Sequence, residues 1–205
     1  MTPGTLLSMP LRSRLLLSVL LGLAVLAVGA CGSAAPVISF DPTGACTTDG
    51  QQPGAYPDLE AQLPKEYERI PATNVDSGRS CTPAGLGVLA DAGIKELRFA
   101  GATWKAGGTE GWTAAVFSAD GLTPAKMRDF YEAGARTARR TEKVSVSDTT
   151  VAGTPGKRLD VLMSDGTGQT VVAWQPVANG PVRVLLAADT GDTKVASLLE
   201  AFGSR

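Results

Sequence analysis

No histidine occurs in the 205 residues, and that absence removes most nucleophilic and metal chemistry. Ser-His-Asp and Cys-His constellations need an imidazole to take the proton, and transition-metal sites use one as a common ligand. The lysine-based Ser-x-x-Lys pattern, the Gly-x-Ser-x-Gly elbow and the phosphate-cradling Walker loop are missing as well. Gly85-Leu86-Gly87 lacks the third glycine of a dinucleotide loop. No catalytic residue, cofactor or metal site is therefore expected. Carboxylates are what remains. Asp58 with Glu60, and Asp129 with Glu132, could act as acid and base on a glycoside if they converged in space. At these spacings they fit solvated helix faces better. Asp41, Thr43 and Asp49 offer oxygens for calcium without the Asp-x-Asp-x-Asp-Gly register, so a plain turn is the expectation.

Aromatic residues are the better lead for binding. Trp104 ends one expected strand, Trp112 begins the next, and a glycine-rich loop over 105–111 joins them. Paired indoles at a hairpin mouth could stack on a ligand or pack against a partner. Trp104 and Trp112 are the candidate binding residues. Trp174, among valines, reads as core.

The N-terminus carries a separate signal. Arg12 and Arg14 precede an apolar run from Leu15 to Val28, and Val28-Gly29-Ala30-Cys31 closes it. Basic residues, a short apolar stretch and small residues before a cut form the order of a secretory leader. With cysteine first after the cut, the segment resembles the lipobox of bacterial lipoproteins. That resemblance covers the first 31 residues only. It implies that Cys31 is acylated, that residues 1–30 are cleaved, and that the chain is held at a cell membrane, facing outside the cytoplasm. Cys46 and Cys81 then remain as an even pair in a compartment that permits oxidation, so a Cys46–Cys81 disulfide is expected. Such a bridge would stabilise the fold by about 4 kcal/mol in the chain-entropy picture.

The leader holds two of the nineteen basic residues and none of the twenty acidic ones, leaving 17 against 20, a formal charge of −3. A mild acidic excess without a basic cluster argues against nucleic acid as partner. Asp189-Thr190-Gly191, behind the apolar run 182–188, resembles the motif of aspartic proteases, which need two carboxylates sharing a proton. The string occurs once. A strand-to-helix turn is expected instead, with Asp189, Thr190 or Asp192 capping the last helix.

Periodicity supplies the elements that would position these residues. Thr82-Pro83 and Thr123-Pro124 are helix starts, with a hydroxyl N-cap and Pro in the first turn. Met127, Phe130, Tyr131, Gly134 and Ala138 form the second helix's expected buried stripe, and Val195, Leu198, Leu199 and Phe202 that of a C-terminal helix. Strands are expected over 95–104, 112–118, around 144–146 and 159–163, and over 170–177 and 182–188. Short turns between them favour antiparallel neighbours. The expected class is α+β, a mostly antiparallel sheet of about six strands packed with about three helices. The domain reading is a leader at 1–30, a tether and irregular arm at 31–57, and one globular domain at 58–205. The functional expectation is a lipid-anchored, non-catalytic domain that meets the membrane through its lipid and binds a small ligand or a cell-envelope protein. A carboxylate-based hydrolase of the envelope, or a structural component of an envelope complex, is the alternative.

Overall fold

The computed structural model describes residues 40–204. The expected leader, the expected lipobox and Cys31 lie outside the described residues. The α+β expectation of about six strands and three helices is corrected. The chain is dominated by an eight-stranded sheet, accompanied by a two-stranded sheet and five helices among the described residues. The strands are β1 (Gly50–Gln52), β2 (Glu66–Tyr67), β3 (Ile70–Pro71), β4 (Asn74–Ser80), β5 (Leu97–Gly107), β6 (Glu110–Ser118), β7 (Thr141–Val151), β8 (Thr154–Met163), β9 (Gly168–Trp174) and β10 (Val182–Ala188). The large sheet runs β1-β4-β5-β6-β10-β9-β8-β7, every neighbour antiparallel, and β2 pairs with β3.

The uncounted strands have a physical reason. β4 reads Asn-Val-Asp-Ser-Gly-Arg-Ser, and its fully buried side chains are Ser77 and Arg79. Polar residues at the inward positions hide the alternation that marks a strand. β1 is Gly-Gln-Gln and has no apolar residue at all. The helices split too. The stretch opened by Thr82 forms two short turns, α2 (Pro83–Leu86) and α3 (Val88–Asp91), broken at Gly87, whose φ of 50° lies in the left-handed region open to glycine. Thr82 and Thr123 cap as their chemistry directs: each hydroxyl accepts from a backbone N–H three residues on, at 3.1 and 3.2 Å.

Both faces of the sheet carry a core. On one face Trp104, Trp112, Trp174, Val172 and Leu185 pack under α1 (Pro57–Glu60), the β2–β3 hairpin and α5 (Asp192–Gly203). On the other face Leu97, Phe117, Val171, Val184 and Leu159 pack under α2, α3 and α4 (Pro124–Thr137). Central strands β9 and β10 serve both cores, which is why their sequences are nearly continuous apolar runs. Among the described residues, no helix is long and apolar enough to cross a membrane.

Candidate functional site

Cys46 and Cys81 are joined by a disulfide with Cα atoms 5.4 Å apart, closing a separation of 35 residues. Two further contacts hold the same arm. The buried Arg79 guanidinium donates to the carbonyls of Asp41, Gly44 and Ala45 at 2.9–3.0 Å. Asp49 accepts from the Cys81 and Thr82 N–H groups at 2.6 and 2.8 Å, and from the Thr82 hydroxyl at 2.6 Å. Desolvation would raise the Asp49 pKa, but these three donors outweigh it and hold the carboxyl below its ordinary range. Asp41, once a candidate calcium ligand with Asp49, accepts from the Thr43 N–H and hydroxyl. Among the described residues, no three His, Cys, Asp or Glu side chains cluster to hold a metal ion.

Of the other candidate carboxylates, Asp58 is exposed and the rest are engaged in structure. Glu60 accepts from the Gly54 N–H and the Ser77 hydroxyl, both at 2.7 Å. Asp129 pairs with Arg128, and Glu132 with Arg136 at 2.6 Å. Asp189 accepts from the Gly168 N–H at 2.9 Å and from the Thr109 hydroxyl. It ties the β5–β6 hairpin tip to the start of β9. The expected cap of the last helix is corrected here. Gly191 occupies the N-cap of α5 without a side-chain bond, the Thr190 hydroxyl donates to the Ala188 carbonyl, and Asp192 pairs with Arg158. Two charged clefts are held by internal ion pairs, one through Arg98 with Glu96 at 2.8 Å and one through Arg158 with Asp160 at 2.8 Å; the second keeps an acidic excess from Asp189 and Asp192.

Trp104 and Trp112 are brought together as direct cross-strand partners. They do not open on solvent. Trp104 is 2% exposed and Trp112 7%. The Trp104 Nε1 donates to the Ile70 carbonyl at 3.0 Å, and Tyr67 meets Trp112 edge to face at 5.5 Å. The β2–β3 hairpin lies over both rings, so the expectation of indoles free to stack a ligand is corrected: they are core.

What lies open is the opposite face, beside α4. The expected buried stripe of that helix is buried at Met127 only. Phe130 and Tyr131 are half-buried, and Gly134 and Ala138 are exposed. Along this uncovered half runs a cleft of about 480 Å³, walled by Phe130, Tyr131 and Gly134 and floored by Val161, Met163 and Gln169. No charged side chain lines it. Its volume falls within the range of about 300–1,000 Å³ usual for small-molecule sites. Burial pushes the Tyr131 phenol well above its ordinary pKa, so it stays neutral. Its hydroxyl has no hydrogen-bond partner among the described residues. Sequence reasoning missed this site because it took the stripe's period as proof of cover. The available signal was Gly134, a glycine inside a helix where alanine would be better by about 0.5–1 kcal/mol.

Compared with known proteins, the chain matches no protein family, no curated protein and no solved structure.

Proposed function

We propose that this chain is a lipid-anchored extracytoplasmic domain that binds a small apolar ligand, without catalysis, in the cleft beside α4. The anchor rests on Val28-Gly29-Ala30-Cys31 behind its apolar run. The binding reading is carried by one observation: past Phe130 and Tyr131, which pack against the core, the apolar stripe of α4 continues into exposed Gly134 and Ala138 along an uncharged cleft. Apolar surface left in water is unfavourable by about 25 cal/mol per Å², so a ligand that covers it gains that term.

Gly134 makes the test clean. Gly134 lines the cleft and a Cβ added there meets no heavy atom within 4 Å, so Gly134→Leu has room to begin a side chain that takes up cleft volume. The full chain in its own membranes is exposed to a trace photoactivatable dodecyl probe, and tryptic peptides are mapped. Label is expected on the peptide 129–136, which forms the cleft wall, and Gly134→Leu is expected to reduce total labelling about tenfold. Labelling unchanged by Gly134→Leu removes the cleft from the function. For the anchor, Cys31→Ser is expected to move the protein from the membrane to the soluble fraction. Retention at the membrane would refute lipid anchoring.

A further inference from the structure

Gln169 lines more than the cleft beside α4. The same residue lines a second depression of about 570 Å³, which continues along the sheet to the β5–β6 hairpin. Strand register shows how the two connect. Val161 lies opposite Gln169, Gln169 opposite Ala188, Ala188 opposite Gly111, and Gly111 opposite Lys105. This unbroken row crosses β8, β9, β10, β6 and β5, four strand spacings of about 4.8 Å or about 19 Å of floor. A parallel row holds Leu186 opposite Thr113 and Thr113 opposite Thr103.

The two ends differ in chemistry. At the α4 end the lining is mostly aliphatic and aromatic, with Thr137, Thr141 and Gln169 as its polar side chains. Toward the hairpin it becomes hydroxyl- and amide-bearing, with Thr103 and Thr113 half-buried and their oxygens 3.0 Å apart. Its charged side chains are one cation, Lys105, and one anion, Glu110, both exposed at the tip. A long apolar chain would lie along the first part. The second part offers donors and acceptors and no net charge.

Resting on the cleft reading above, we infer that the ligand is a neutral amphiphile. Its single apolar chain packs against Phe130, Tyr131 and Val161, and its uncharged, hydroxyl-rich head bonds to Gln169, Thr113 and Thr103. A charged head would lose water here without an unopposed partner charge to replace it.

Three trace photoactivatable probes share a dodecyl chain and differ in the head: maltoside, sulfate or trimethylammonium. Each is applied to the full chain in its membranes. The maltoside probe is expected to label the peptide 129–136 about tenfold more than either charged probe. Thr113→Val, which keeps shape and β-propensity, is expected to reduce maltoside labelling about three- to tenfold, the range for one lost hydrogen bond, and to leave the charged probes unchanged. Gln169→Leu provides a second variant with the same expectation. Equal labelling by all three heads, or maltoside labelling indifferent to both substitutions, overturns the neutral-head inference while a Gly134→Leu loss preserves the cleft. If Gly134→Leu changes nothing, the cleft reading itself falls.

Discussion

Both faces of the sheet carry an apolar core, yet one is sealed and the other is not. On the first face every large ring is answered by another element. Trp174 meets Phe202 edge to face at 5.2 Å, Trp112 meets Tyr67, and the Tyr67 hydroxyl bonds the Ser197 hydroxyl at 2.8 Å. Lys194 then closes the rim, its ammonium 4.4 Å from the Tyr67 ring centre and 3.0 Å from Glu68. On the second face α4 covers the floor near Met127 and leaves the rest bare past Tyr131, where its side chains shrink to Gly134 and Ala138. All three tryptophans therefore lie on the closed face, while the open one has Phe130 and Tyr131 giving way to the small residues Gly134 and Ala138. A search for function by exposed tryptophans looks at the wrong side of the sheet.

The largest effect expected from that contrast is at Trp104. Trp104→Ala removes a fully buried indole and the bond that holds the β2–β3 hairpin at Ile70. A loss of about 3–5 kcal/mol is expected from the urea midpoint of the oxidised protein. A loss below about 1 kcal/mol would mean that the ring is not sealed and that the contrast between faces is false.

An intermediate effect belongs to Asp49, at the arm's attachment. Asp49→Ala leaves the Cys81 and Thr82 N–H groups without their acceptor, a cost of about 1–2 kcal/mol at neutral pH. The sign of its pH dependence follows from the lowered pKa. The carboxylate's contribution is complete above the ordinary value near 3.8 and is lost as pH falls through the still lower folded value. Wild type and variant should therefore converge in urea midpoint at about pH 2 and separate above about pH 5. A gap that stays constant across that range would show that the ionised carboxylate is not what holds the arm.

How much of this was legible in sequence depended on what each residue had to announce. The runs 170–177 and 182–188 stand out because strands covered on both faces need apolar residues at every position, although the first strand ends at Trp174. The Thr-Pro pairs at 82 and 123 mark helix starts because capping is local chemistry, satisfied within three residues. β4 was silent because Arg79 is buried through carbonyls more than thirty residues away, a partner set that no window of sequence contains. The cleft was silent for the converse reason. The stripe of α4 has the right period for burial, but period says which side faces inward and not whether anything arrives to cover it. Trp104 and Trp112 share that ambiguity, since a ring at a strand end fits a lid or an open ledge equally well until β2–β3 is placed.

The smallest expected effect is the most discriminating. Gly134 stands in the interior of α4, its φ is not positive, and nothing lies within 4 Å of a Cβ placed there. Neither backbone strain nor packing requires glycine. Gly134→Ala should therefore stabilise the protein by about 0.5–1 kcal/mol, because alanine loses less conformational freedom in a helix. The same methyl group narrows the cleft only slightly, so probe labelling should fall by no more than about twofold while the urea midpoint rises. If Gly134→Ala destabilises instead, the space beside the helix is already filled by the protein's own packing. The open face would then be closed like the first.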